Sequence, residues 1–322
     1  MLLTVSRRSK TQWPMQSASM LAGVAFSALV SFGCVAPSWA ASTETFSMTV
    51  AEASADDQAV SAFYQSRAYE PLWTGAEDAA RRAAFFQALD HVEDHGLPAS
   101  RYDAAGLRTA FAAVQSEHQR AKLEVAVTKA FLTYARDVQT GFLIPSKVDA
   151  GIVREVPVRD PRAMLDQFAV ADPAAFLASL PPATAQYAAL QKARLDLVTA
   201  IANGGWGAPV PASRLEPGDE GGAVVALRDR LVAERYMAPS VTRTFDSDMQ
   251  RAVQLFQMDN GLTADGVAGE GTIAELNRTP AERLRSVMVA MERVRWMNGV
   301  PLGSRHIWVN LPDFTAKVID DG

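Results

Sequence analysis

Three groupings in this 322-residue chain have residue types and spacing that could do chemistry. His91, Glu93 and His95 put two imidazoles four residues apart, the separation at which one helix face can offer two nitrogens to a metal. The order around Glu93 is not that of zinc peptidases, and no third ligand stands nearby. The three residues therefore read as an exposed helix end, with no metal and no cofactor expected. The acid pairs Asp56-Asp57 and Asp320-Asp321 raise a carboxylate-dependent hydrolase, but glycoside cleavage needs two carboxyls facing each other across a cleft, which adjacent acids at caps and turns do not supply. Arg293, Arg295 and Trp296 form a basic-aromatic patch able to meet an anionic glycan. Neighbours two apart diverge on a helix, so packing against a following domain is the expectation. The only cysteine is Cys34, which excludes a disulfide framework and a zinc ribbon.

The elements that must position these groups follow from composition and pattern. The chain is 48% hydrophobic and 21% charged, an ordinary globular balance long enough for two folded units. It opens on an address. Arg7, Arg8 and Lys10 precede the apolar stretch from Met20 to Val35, and Ser38-Trp39-Ala40 suits signal peptidase, with the cut after Ala40. Ser9 and Lys10 stand where a twin-arginine signal needs apolar residues. Cys34 after Gly33 is a lipoprotein candidate, but Ser31 occupies the position where a Leu-like residue is usual. Export to the periplasm follows, with no stable membrane anchor after cleavage. Without the three basic residues of that segment, 28 of the 31 basic side chains remain against 36 acidic ones, a net −8. So acidic a body excludes nucleic acid as the main partner.

Residues 41–202 read as a helical domain. Val60, Phe63 and Tyr64 recur at helical spacing behind a cap at Asp56 or Asp57. A stripe of Phe85, Phe86, Leu89 and Val92 lies within 81–95, closed by Gly96 and Pro98. A long helix runs over 122–139, stopped by Gly141 and Pro145. Further helices are expected at 162–179 and 183–201. Residues 203–216 are dense in Gly and Pro and read as a linker or bridging loop. A small three-helix unit spans 217–278: Val224, Leu227 and Leu231 on the first helix; Met249, Val253 and Phe256 on a second capped by Asp246 or Ser247; then a turn at Asp265-Gly266 and a third helix with Thr272, Ile273 and Leu276. A connecting helix occupies 279–303.

The order Val224, Leu227, Leu231, Phe245-Asp246, Ala252-Val253, Phe256-Gln257, Gly261-Leu262, Asp265-Gly266-Val267, Gly269 and Thr272 resembles the peptidoglycan-binding domain type 1. The flanks resemble the scaffold domain of large periplasmic murein L,D-transpeptidases: Phe63-Tyr64, Pro71-Leu72-Trp73, His95-Gly96-Leu97, Tyr187, Gly205-Trp206, Arg283, Glu292-Arg293 and Arg295-Trp296. In that family a YkuD-type catalytic domain follows, and 304–322 resembles its start, with Val309-Asn310 in a first strand. The resemblance implies a mainly α chain: a helical scaffold, the three-helix module, and the first β-strands of an incomplete β-rich catalytic domain. It implies peptidoglycan stem peptides as partners and transfer between them through a cysteine thioester. It also implies that the basic-aromatic patch packs against the catalytic domain.

The mature chain has no cysteine and no Ser-His-Gly-Cys setting, so no catalytic residue is assigned and inactivity alone is expected. His306–Leu311 and Phe314–Ile319 alternate as strands, and Asp321-Gly322 reads as a hairpin turn with no returning strand. The chain thus reads as truncated at the threshold of its catalytic domain, which becomes its missing partner. The ligand-binding candidates are Asn260, Asp265 and Gly266, on the rim of the 261–271 loop. Two other readings stand beside this one: a non-catalytic periplasmic adaptor, and the carboxylate-dependent hydrolase.

Overall fold

The computed structural model describes residues 38–310 and 315–321. Most of the signal segment, Cys34 and Gly322 lie outside them. The chain is mainly α, as read. Helix α1 (Ser38–Ser54) leads into α2 (Gln58–Ser66), whose cap is Asp57: its carboxylate accepts from the Ala59 and Val60 amides. Then come α3 (Ala79–Asp90) and α4 (Ala104–Ala113). The long α5 (Glu117–Thr140) ends on Gly141, which takes a positive φ of 88°. After the single turn α6 (Pro145–Val148), α7 (Pro161–Val170) and α8 (Pro173–Ala178) replace the one helix expected over 162–179. Pro173 lacks the amide a continuous helix needs there, and Asp172 caps the new start. Helix α9 (Ala185–Ala202) completes the series.

These helices wrap an aromatic core around α5. Trp73, Phe85, Phe131 and Phe168 are fully buried, and the Phe131 and Phe168 rings stack at 4.3 Å. A carboxylate sits inside this core. Glu124 is completely buried and accepts from the amides of Leu72 (2.5 Å), Trp73 (3.1 Å) and Thr74 (2.9 Å) and from the Tyr64 hydroxyl (2.7 Å). Three consecutive amides thus converge on one side chain, which fixes the 72–74 turn where no helix or strand can satisfy it. Burial, then the charge of Glu124, drives the Tyr64 phenol well above its ordinary range.

The second unit holds α10 (Gly222–Ala233), α11 (Ser247–Asp259) and α12 (Glu270–Leu276), with a separate core of Val224, Leu227, Leu231, Met249, Val253, Phe256 and Ile273. Asp246 caps α11 through the Asp248 and Met249 amides. The Gly/Pro-rich segment before it is not a free tether. Val210 is buried in this core, its amide and carbonyl both bond Asn277, and Leu215 bridges Ala268.

Helix α13 (Pro280–Trp296) opens on a capping box, Thr279 with Glu282, and packs along α9 and against α5. The helical domain is therefore discontinuous, with the small unit inserted between α9 and α13. A hairpin follows, β1 (Arg305–Asn310) with β2 (Thr315–Asp320), antiparallel with Ile307 opposite Val318. Ile307, Val309 and Val318 are all exposed.

Candidate functional site

One side chain organises the loop that the sequence marks in the small unit. Gln257, on α11, is 2% exposed. Its Oε1 accepts from the Gly266 amide at 2.9 Å. Its Nε2 donates to Asp265 Oδ1 (2.9 Å), the Val267 carbonyl (2.9 Å) and Thr272 Oγ1 (3.1 Å). Asp265 Oδ1 also accepts from the Val267 amide, and these two bonds, the amide's first, hold its carboxyl below the usual range. Gly266 is needed for its backbone: φ is +75°, and a Cβ there would lie 2.7 Å from Gln250 Cγ. Asn260 donates to the Phe256 carbonyl and accepts from Arg283 of α13 (2.9 Å). Of the three ligand-binding candidates, Asn260 and Asp265 have side chains engaged within the fold, and Gly266 is buried.

An open cleft of the unit lies apart from this loop. A cleft of about 470 Å³ runs between the 236–240 segment and the first turns of α11, lined by Tyr236, Pro239, Ser240, Asp248, Arg251 and Leu255. Tyr236 lines it, edge-on to Phe256 at 5.2 Å, and burial pushes its phenol up to about 12. Arg251 and Asp248 pair at 3.2 Å on the exposed rim. The cleft therefore offers an apolar base with both signs of charge and a hydroxyl around it, a pattern suited to a zwitterionic peptide. None of these residues stood out in the sequence. The signal was Tyr236-Met237-Ala238-Pro239, an aromatic followed by an apolar run just past a helix end.

The other groupings resolve differently from their reading. His91 is exposed and pairs with Asp94, but His95 is not at an exposed end. It stacks on Tyr187 and bonds the Tyr187 hydroxyl (3.1 Å) and Gln191, and burial, then Arg295, lowers its pKa to about 4. No metal-binding cluster exists among the described residues. Arg295 and Trp296 do not await a further domain: both are buried within the helical one. Arg295 donates to the His95 carbonyl (2.6 Å) and Tyr187 and pairs with Glu292 (2.6 Å), to which Trp296 Nε1 also donates. The buried guanidinium draws these elements together because burial without such partners would be prohibitive. Only Arg293 of the patch remains exposed.

The two units match separate family models. Residues 58–193 match the family model of a scaffold domain, and residues 220–276 match that of a peptidoglycan binding domain. The second match coincides with the inserted unit and its own core. A cell-wall-binding role is thereby supported for that unit, and the pair of matches is consistent with an L,D-transpeptidase-like architecture. A search of curated proteins finds no match.

Proposed function

We propose that this chain is the scaffold and peptidoglycan-binding part of a murein L,D-transpeptidase, acting in the periplasm to hold stem peptides in place for cross-linking. The observation that carries the reading is the peptidoglycan-binding match over 220–276, which falls on a self-contained unit with an open, mixed-charge cleft. The scaffold match beside it favours the transpeptidase setting over a lone adaptor. In this reading Asp265 and Gly266 shape the loop, Asn260 fastens it to α13, and the contact groups are those of the cleft. A peptide laid on Tyr236 places a carboxylate near Arg251 and an ammonium near Asp248, giving shallow, weak binding with a dissociation constant of roughly 10 μM to 1 mM. Transfer itself needs a nucleophilic cysteine, and Cys34 belongs to the signal-like segment. The role of this chain is therefore positioning. The cut after Ala40 removes only the first three residues of α1.

Co-sedimentation of the protein with insoluble sacculi tests the reading. The protein is expected in the pellet, and Arg251→Glu, an exposed change, is expected to weaken binding at least tenfold while far-UV circular dichroism stays the same. Equal sedimentation of the variant would move the contact surface off the cleft, and absence of the parent protein from the pellet would end the reading.

A further inference from the structure

A cleft of about 650 Å³ belongs to neither the inserted unit nor its loop. Four separate elements wall it: Arg154 from the segment between α6 and α7, Thr184 and Gln186 at the start of α9, Arg293 and Trp296 at the end of α13, and Trp308 on β1. Its volume lies within the range of small-ligand pockets, roughly 300–1,000 Å³.

Two features set it apart. No carboxylate is among its described lining residues, although the chain as a whole is acidic. Arg154 and Arg293 both face it, and neither forms an ion pair with a described carboxylate. Arg81, Arg101, Arg108, Arg120, Arg162 and Arg194 of the helical domain are, by contrast, paired with carboxylates. The Nε of Arg154 is moreover buried without any hydrogen-bond partner; Arg81, Arg283 and Arg295 share that feature but are held through their terminal nitrogens, and a buried donor left unpaired is costly. The geometry points to an absent acceptor, which an arginine fork would take as a carboxylate. Trp308 supplies an aromatic wall, 37% exposed, against which a peptide or sugar face can lie.

We propose that this cleft is a second peptidoglycan site, taking the free carboxylates of a stem peptide between Arg154 and Arg293. The proposal rests on the reading of the chain as a peptidoglycan binder. Residues 1–37 are excluded as the occupant by charge, since they hold Arg7, Arg8 and Lys10 and no acid. A second copy of this acidic chain is one competitor, which the experiment separates; the catalytic domain that the transpeptidase reading places after β2 is another, and its covering Trp308 in a longer chain would overturn the proposal.

The test titrates the full chain with a soluble disaccharide-tetrapeptide and, separately, with the same compound amidated at its carboxyls, following the Trp308 indole resonance assigned through Trp308→Phe. The acid compound is expected to move that resonance, and Arg154→Gln with Arg293→Gln is expected to weaken its binding at least tenfold. The amidated compound is expected to bind the parent protein no better than the acid binds the double variant. Arg293→Lys, which keeps the charge but not the fork, is expected to lose less affinity than Arg293→Gln, so a general loss of folding cannot pass as support. Affinity unchanged in the double variant, or an unmoved Trp308 resonance at saturation, overturns the proposal. Self-association that disappears in the double variant, seen by sedimentation velocity, assigns the cleft to a second copy and overturns it equally. Sacculus binding by the Arg154/Arg293 variant reports on the inserted unit independently. Its persistence alongside either negative result would refute the second site and leave the first standing.

Discussion

Replacing Gln257 with Leu probes whether one amide holds the 261–272 loop. The substitution keeps the approximate volume and removes every polar contact the side chain makes. The Nε2 group spreads two hydrogens over three acceptors at 2.9, 2.9 and 3.1 Å, and Oε1 accepts the Gly266 amide at 2.9 Å. Asp265 is exposed and Val267 half-exposed, so both can turn to water, and their bonds are worth roughly 0.5–1.5 kcal/mol each. The Gly266 amide is buried and cannot, so leaving it unpaired costs about 1–3 kcal/mol. Allowing for the apolar contact leucine gains, the loss is about 2–4 kcal/mol. A unit of roughly 60 residues holds about 3–9 kcal/mol in all, so the loop opens before the core does. Hydrogen exchange read on peptides covering 257–272 should accelerate by about 30- to 1,000-fold, with the α5 peptides unaffected. An acceleration below tenfold would show that the loop is held by its own backbone and that Gln257 merely fills space.

Three further outcomes are expected. Glu124→Ala strands the Leu72, Trp73 and Thr74 amides in a dry core and should lower the stability of the helical domain by about 3–5 kcal/mol, read from urea unfolding; a loss under 1 kcal/mol would mean that water replaces the carboxylate. Gly266→Val forces a β-branched residue to a φ of +75° against Gln250 and should abolish the loop's exchange protection; retained protection would refute the turn argument. Because the folded protein keeps His95 neutral down to about 4 while the unfolded chain protonates near 6.5, the stability it lends is complete above pH 6.5 and is lost as pH falls toward 4. The urea midpoint of His95→Gln should therefore fall less than that of the parent protein between pH 7 and pH 4.5, and parallel profiles would contradict this.

Much of the fold was legible because a local signal sufficed. The stripe of Val60, Phe63 and Tyr64, the Asp57 and Asp246 caps and the positive φ at Gly266 each depend on a few neighbouring residues. Periodicity names a buried face, however, and not what buries it. Helix α13 looked like a connector because Glu292 and Arg295 are charged. Arg295 is buried by Tyr187 and His95, and Glu292 takes the Leu143 amide, all partners that lie more than a hundred residues away. Asn260, Asp265 and Gly266 attracted attention as a turn, and turn residues of this kind spend their polar groups on the backbone. The cleft residues Tyr236, Ser240 and Arg251 follow no period, since a concave surface is assembled only after the core has packed.

The insertion between α9 and α13 has a mechanical consequence. Gly205 and Pro280 lie side by side, a Cβ built on Gly205 falling 3.9 Å from Pro280 Cγ, so the inserted unit leaves and rejoins the helical domain at one place. Arg283 braces that junction, donating to the Glu275 carbonyl and to Asn260 and lying over the Trp206 ring. A unit hung from a single chain swivels freely and transmits a pull through one strand. Hung from two adjacent strands with a brace between them, it resists twisting, and tension from a stretched wall divides between two helices already packed along each other. A load entering at the inserted unit would thus reach the helical domain with its direction preserved, and the relative orientation of the two would survive thermal agitation.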